Sequence, residues 1–309
     1  MSDFFEKLCL AAGSSQIKRE EPMAKHTTFR TGGPAEYFVS PAGEAELLQI
    51  ISLCRMEKVP YYILGNGSNL LVSDAGYRGV MIWMGEAFSK IERIGGENGN
   101  LRYYRAGAGA LLSRIAKKVS EDSMTGFEFA AGIPGTLGGA VVMNAGAYGG
   151  EIKDILQSVR ILDPDGLIRE LPAEELDLGY RHSCIPERGY IVLSAVFALK
   201  SGEKEDIQAM MEDLAGRRRE KQPLEYPSAG STFKRPAGYF AGKLIEDAGL
   251  RGYRVGGAQV SEKHCGFVIN RDHAAAQDIR ILCEEVQKKV KESFGVDLET
   301  EIRMLGWEE

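Results

Sequence analysis

The stretch Gly65-Asn66-Gly67-Ser68-Asn69 lies between two short apolar runs and carries residue types suited to holding an anion. Glycine admits positive φ and presents backbone N–H groups with no Cβ in the way, so such a loop can cradle a phosphate. It is not a dinucleotide fingerprint. The third glycine position holds Leu70, and the following Leu71-Val72 reads as extended chain, not as the start of a helix. No GxxxxGK[ST] loop occurs either. A second, longer segment runs Ala131-Gly132-Ile133-Pro134-Gly135-Thr136-Leu137-Gly138-Gly139-Ala140, then Asn144-Ala145-Gly146-Ala147-Tyr148-Gly149. It has too little side-chain volume to fill a core. For any one of these glycines a tight turn is the plainer reading, but the two clusters together point to a ligand held by backbone.

Composition excludes several other chemistries. The 5 cysteines and 4 histidines show no CxxC pair and no metal-ligand spacing, so no metal site is expected. His264 and Cys265 are sequence neighbours, which suggests neither a Cys–His catalytic pair nor a zinc site. Scattered free thiols fit a reducing cytosol. A net charge of −6 argues against nucleic acid as a partner. The Arg217-Arg218-Arg219 run reads as the solvated face of a helix. No apolar run approaches the roughly 20 residues of a spanning helix, so no membrane insertion is expected. Met1–Glu6 is acidic and the apolar Leu8–Ala12 run is short, unlike a secretory leader. A cytoplasmic protein is expected, and no obligate protein partner is inferred.

The elements that must position these loops follow from periodicity. A helix is expected around Asp3–Ala12, and Leu47, Leu48, Ile51 and Cys54 mark another over Glu46–Lys58, closed by Pro60. Tyr61–Leu64 and Val80–Met84 read as strands flanking the first glycine loop. Leu101–Arg105 is a further strand, and Leu111, Leu112, Ile115 and Val119 mark a helix. Asp163-Pro164-Asp165-Gly166 is hairpin-turn chemistry between Val159/Ile161 and Leu167–Leu171. Tyr190–Leu199 is a strong strand. Charged helical sequence then runs Glu203–Lys221 and stops at Pro223. A helix over Tyr239–Ala248 closed by Gly249, a strand at Gly266–Asn270, a helix over Gln277–Phe294 capped by Gly295, and a strand at Glu299–Met304 complete the chain.

Taken together, these segments resemble the UDP-N-acetylenolpyruvoylglucosamine reductases. Thr27-Thr28-Phe29-Arg30-Thr31-Gly32-Gly33-Pro34-Ala35 is similar to the family's opening motif. Gly65 to Leu71 resembles its pyrophosphate loop and Gly132 to Gly149 its second flavin segment. Tyr180-Arg181-His182-Ser183, Ala229-Gly230-Ser231-Thr232-Phe233-Lys234 and Leu298-Glu299-Thr300-Glu301-Ile302-Arg303 resemble its catalytic motifs, in family order from about Pro22 to Gly306. The resemblance implies an α+β architecture: a two-subdomain FAD-binding fold of the vanillyl-alcohol-oxidase-like (PCMH-type) class, then an α/β substrate-binding domain. Its expected limits are residues 1–26 for an N-terminal extension, 27–200 for the FAD-binding domain (subdomains about 27–90 and 91–200) and 201–309 for the substrate domain. Pro34 stands where relatives with covalent flavin carry histidine, so noncovalent FAD is implied, with NADPH as co-substrate and a UDP-sugar as substrate.

The activity so implied is reduction of an enolpyruvyl ether during peptidoglycan precursor synthesis. Hydride added to the terminal carbon leaves enediolate-like charge in the carboxylate, and the adjacent carbon then needs one proton. By resemblance Ser231 donates that proton, Arg181 polarises the carboxylate with a planar fork, and Glu301 stabilises the intermediate, best if protonated. FAD contacts are expected from Gly65, Asn66, Gly67, Ser68, Asn69, Leu70, Gly132, Ile133, Pro134, Gly135, Gly138, Gly139, Asn144, Gly146 and Ala147. Substrate contacts are expected from Lys221, Tyr226, Lys234, Arg235 and His264.

Each residue also has a plainer reading. Glu299, Glu301 and Arg303 share one face of a strand, and such a polar face is usually solvated. Ser231 sits in turn-forming sequence, and Arg181 can simply tie down a loop. Between Arg181 and Ser231 there is room for one strand, one helix and a short loop, which matches the subclass lacking an extra tyrosine loop. Ile185 replaces an expected aromatic residue and Arg235 an asparagine, both bearing on the diphosphate contacts. The alternatives are another FAD-dependent oxidase or dehydrogenase of the same fold, and a non-catalytic nucleotide-binding module.

Overall fold

Ile191–Ser201 is apolar almost throughout, and every residue from Ile191 to Leu199 is buried, as expected of a strand covered on both faces. The structure, a computed structural model, describes residues 3–13, 16–98 and 100–307. The strand is central in an antiparallel sheet ordered Ile168–Pro172, Leu156–Leu162, Ile191–Ser201, Leu101–Gly107, Ile91–Asn98, with Met124–Thr125 adding to its end. Pairings such as Val159↔Ala195 and Phe197↔Tyr104 fix the register. The expected hairpin turn forms: Asp163 N–H donates to Leu167 O (2.9 Å) and Gly166 N–H to Asp163 O (3.1 Å).

The described helices are α1 (Asp3–Ala12), α2 (Glu44–Met56), α3 (Leu112–Glu121), α4 (Leu137–Val142), α5 (Lys204–Lys221), α6 (Ala241–Asp247) and α7 (Ala276–Phe294). They lie within a few residues of the helices expected from periodicity, apart from α4. That short helix begins inside the second glycine segment, where glycine content hides helical periodicity.

The chain divides into two compact units whose segments interleave. The first holds Met1–Ile17, Val39–Asn66 and Ile82–Arg218; the second holds Lys18–Phe38, Gly67–Met81 and Arg219–Glu309. In the first, α1 lies against α2 and α4 against the central strand. In the second, α7 buries Ile279, Leu282, Cys283, Val286 and Val290, a stripe at helical spacing, against the antiparallel strands Arg254–Val255, Ala258–Val260 and Val268–Asn270. Phe29, Leu71, Phe233 and Ile302 join that core from other segments of the same unit.

Long-range hydrogen bonds close the second unit. The Asp74 carboxylate accepts from Ala276 N and Gln277 N, both at 2.9 Å, and so caps α7 from far upstream in the chain. Asn270 Nδ2 donates to Phe29 O at 2.9 Å. Gly295, at φ 69°, ends α7 in the left-handed conformation, as expected. The last strand is shorter than expected: Arg303–Leu305 pairs in parallel with Leu70–Val72, while Thr300 makes only an isolated bridge to Phe233.

Candidate active site

The two glycine segments meet in the first unit. Asn66 Nδ2 donates to Pro134 O at 2.6 Å, and a Cβ on Gly65 would lie 2.3 Å from Thr136 Oγ1. The second segment is fastened to the chain before α3: Leu137 N donates to Ala110 O and Gly138 N to Ala108 O, both at 2.8 Å, while Gly135 O accepts from Leu112 N at 3.0 Å. Gly132, Pro134 and Gly139 remain exposed, and a Cβ on Gly139 would meet nothing closer than Thr136 Oγ1 at 3.9 Å. Ile133 and Gly135 are half-buried between them.

A cation missing from the expected set lies against this ribbon. Arg218 Cδ is 3.1 Å and Nη1 3.5 Å from the position of a Cβ on Gly132. Burial pushes the guanidinium pKa down, partly countered by the nearby Tyr148 hydroxyl. Its neighbour Arg217 is paired with Asp213 (2.8 Å), whereas no hydrogen bond or ion pair is described for Arg218. The solvated-face reading of the arginine run therefore holds for Arg217 and fails for Arg218. Arg218 continues the stripe Ile207–Met211–Leu214 of α5, a signal present in the sequence but masked by the surrounding charge.

Arg181 stands at the tip of a two-residue turn. Gly179 N donates to His182 O (3.1 Å) and His182 N to Gly179 O (3.3 Å), so Tyr180 and Arg181 form the tip, with Arg181 at φ 53°. Non-glycine residues held at positive φ cluster at functional sites. The guanidinium carbon lies 5.1 Å from the Tyr180 ring centre, and Nη2 is 3.5 Å from Gly146 O. Gly146-Ala147 and Gly150-Glu151 pair as a tight hairpin whose tip, Tyr148 and Gly149, has φ of 54° and 91°. Asn144 is fully buried between these turns; both hydrogens of its amide go to protein acceptors, Glu151 Oε2 (2.7 Å) and Gly179 O (3.0 Å).

In the second unit the serine and glutamate motifs lie side by side. Glu301 N donates to Thr232 O and Lys234 N to Glu299 O, both at 2.8 Å. Asn69, from the end of the first glycine loop, joins the same ribbon: its Nδ2 donates to Glu301 O (3.1 Å) and its carbonyl accepts from Arg303 N (2.9 Å). Ser231 and Glu301 are both half-buried. Gly67, at φ 58°, packs its α-carbon against the His26 carbonyl, where a Cβ would come within 2.0 Å. Ser68 is half-buried and Leu70 starts the buried strand. Beside Gly67, whose carbonyl accepts from Thr28 N at 3.1 Å, the buried Thr28 hydroxyl has no hydrogen-bond partner.

The remaining substrate candidates are dispersed over this unit. The Lys234 ammonium is paired with Glu299, which leaves it less available to a serine alkoxide. Lys221 is exposed at the end of α5, Arg235 packs over the Phe240 ring (5.0 Å), and Arg271 covers the Tyr226 ring (4.3 Å). His264 Nδ1 accepts from Gly266 N at 3.0 Å, and burial lowers the imidazole pKa, so the ring is neutral at pH 7. Among the described residues no cluster of His, Cys, Asp or Glu is arranged to hold a metal ion.

Known proteins match this chain over most of its length. An FAD binding domain family matches residues 35–172, and the family described as UDP-N-acetylenolpyruvoylglucosamine reductase, C-terminal domain, matches 222–305. The UDP-N-acetylenolpyruvoylglucosamine reductase of Agathobacter rectalis is 54% identical over 296 residues, 94% of each chain. The chain belongs to the UDP-N-acetylenolpyruvoylglucosamine reductase family. A second reductase of that name, from Clostridioides difficile, is 51% identical over 98% of both chains. The crystal structure of the Thermus caldophilus UDP-N-acetylenolpyruvylglucosamine reductase matches with a TM-score of 0.77 at 35% identity, covering 94% of this chain and 98% of that one. The expected flavin fold and reductase family are thus borne out, and the chain is an FAD-dependent oxidoreductase. As expected of the subclass without the extra loop, only the central strand, α5 and a short loop separate Arg181 from Ser231. No described helix is long and apolar enough to cross a membrane.

Proposed function

We propose that this enzyme reduces the enolpyruvyl ether of UDP-N-acetylglucosamine enolpyruvate to UDP-N-acetylmuramate with NADPH, a cytoplasmic step of peptidoglycan precursor synthesis. The residues of the first unit suit FAD: two backbone ribbons with little side-chain bulk, joined through Asn66, and a desolvated guanidinium beside them. Gly65, Asn66, the ribbon Gly132–Gly139 and the hairpin at Gly146-Ala147 would hold it noncovalently. Arg218 would meet its permanent anion, the pyrophosphate, because a partly desolvated cation gains most from a charged partner. Ser68, Asn69 and Leu70 are assigned to the same cofactor. Bound there, FAD would supply the hydride chemistry that links NADPH to the terminal carbon of the enolpyruvyl group.

The chain's own residues deal with the resulting charge. Arg181 offers a planar pair of donors to the substrate carboxylate as negative charge spreads into it. Ser231 Oγ gives up its proton to the adjacent carbon, completing the reduction, and the serine is reprotonated from solvent. Glu301 stabilises the enediolate from the segment before the last strand, whose backbone is hydrogen-bonded to the serine motif at Thr232. Lys221, Tyr226, Lys234, Arg235 and His264 are assigned to the sugar nucleotide, and the C-terminal residues 201–309 to substrate binding.

The observation that supports this chemistry most directly is the backbone pairing of Thr232 with Glu301, which places two motifs distant in sequence next to each other. The test is Ser231→Ala followed in half-reactions. NADPH should still bleach the flavin at the wild-type rate. Reoxidation by the enolpyruvyl sugar nucleotide should slow by about 10²–10⁴-fold, the usual contribution of a positioned proton donor. Wild-type reoxidation in the variant would rule out Ser231 as that donor.

A further inference from the structure

The Arg181 turn carries a cost that something must hold in place. Arg181 sits at φ 53°, in the left-handed region that L-residues rarely adopt. At the tip Tyr180 is 52% exposed and Arg181 half-buried. The turn is anchored at its base. On one side Asn144 Nδ2 donates to Gly179 O at 3.0 Å. On the other, Ser183 Oγ donates to Val142 O at 2.7 Å, from the last residue of α4.

Asn144 is placed to do more than anchor one carbonyl. Its amide also donates to Glu151 Oε2 (2.7 Å), and its Oδ1 accepts from Lys153 N (2.9 Å). Those partners lie at the base of the hairpin that carries Gly146, whose carbonyl is near the Arg181 guanidinium. One side chain therefore ties together the Gly179 end of the Arg181 turn and the hairpin its guanidinium rests on. The residue is itself held at φ 39° and is fully buried, so its donors face no competing water. With both amide hydrogens used, the side chain has no donor left for a cofactor.

We propose that Asn144 is a positioning residue for the substrate carboxylate: its amide joins the Gly179–His182 turn to the Gly146–Glu151 hairpin and so fixes the direction of the Arg181 guanidinium. The inference rests on the assignment of Arg181 under the proposed function. It predicts that Asn144 matters only to the half-reaction in which the enolpyruvyl carboxylate is bound.

The test uses FAD-loaded enzyme in anaerobic stopped flow, with Asn144→Ala, Arg181→Ala and the double variant. Asn144→Ala should leave flavin reduction by NADPH unchanged and slow reoxidation by the enolpyruvyl substrate by about tenfold to a hundredfold, the scale on which an ångström of misplacement acts. In the Arg181→Ala background it should slow reoxidation no further. Equal slowing in both backgrounds, or parallel loss in both half-reactions, overturns the inference while leaving the role of Arg181 standing. Wild-type reoxidation by Arg181→Ala removes the reading of Arg181 and this inference with it. If Asn144→Ala does not load FAD, Ser183→Ala carries the same cycle from the other base of the turn. A selective loss that vanishes without Arg181 is again expected, and a loss independent of Arg181 overturns the proposal.

Discussion

The two glycine segments have similar compositions and are glycine-rich for different reasons. In the first loop the glycines answer to protein: the Gly65 α-carbon lies against Thr136, and Gly67 against the His26 carbonyl at positive φ. In the second segment Gly138 is likewise pressed on Ala108, but Gly139 faces almost open space and Gly132 faces the half-buried Arg218 side chain. One ribbon is small because backbone must pass close to backbone. The other is small, at least in part, where only a ligand would come close. Composition cannot separate these causes; the neighbours of each missing Cβ can.

Gly67→Ala should break the first case most severely. The methyl would have to displace His26, whose side chain is hydrogen-bonded to Glu21 (2.9 Å) and stacked on Phe38 (centroids 4.1 Å apart), while its N–H donates to Met23 O. Little there can give. Strained φ and clash together should cost about 3 kcal/mol or more, seen as a lowered denaturation midpoint with or without FAD. A midpoint within error of wild type would mean that the His26 segment moves freely.

Arg218→Met sharpens the second case, with an effect of opposite sign in the two states. Methionine keeps the packing over Gly132 and removes a desolvated charge, so the apoprotein should unfold at a higher temperature than wild type. FAD should bind about ten- to a hundredfold more weakly, the worth of one charge-assisted hydrogen bond. Calorimetric titration and melting curves on the same samples read both. Unchanged affinity would assign the guanidinium to some other anion.

Much of this was legible from local chemistry. The central strand showed itself by an unbroken apolar run, α7 by its stripe and terminal Gly295, and the Asp163–Gly166 hairpin by its turn residues. The reductase motifs were legible because each is contiguous. What stayed hidden depends on residues far apart in the chain. Asp74 caps α7, and Lys18–Phe38 and Gly67–Met81 belong with the C-terminal unit. Nothing in Asn144-Ala145-Gly146 distinguishes an amide that meets a cofactor from one spent on Gly179 and Glu151. The burial of Arg218 was misjudged because the charged residues around it outweighed a stripe of only Ile207, Met211 and Leu214. The final strand began later than alternation implied because Thr300 finds only an isolated partner in Phe233.

Gly139→Ala gives the smallest expected effect and divides the two explanations for glycine most finely. The residue is exposed, lies within α4 at ordinary helical φ, and a Cβ there meets nothing nearer than 3.9 Å. Protein contacts therefore permit alanine, and helix propensity favours it by about 0.5–1 kcal/mol, so the apoprotein should be slightly stabilised. If FAD lies along this ribbon, the added methyl intrudes on the ligand alone. FAD affinity should then fall severalfold while apoprotein stability rises, the reverse of the pattern at Gly67, where the folded protein itself suffers. Affinity that holds at the wild-type level in a stabilised apoprotein would place the cofactor off this face of α4. The open space at Gly139 would then be simple solvent exposure, and the flavin contacts of the second segment would have to come from Gly132–Gly135 and the Gly146-Ala147 hairpin.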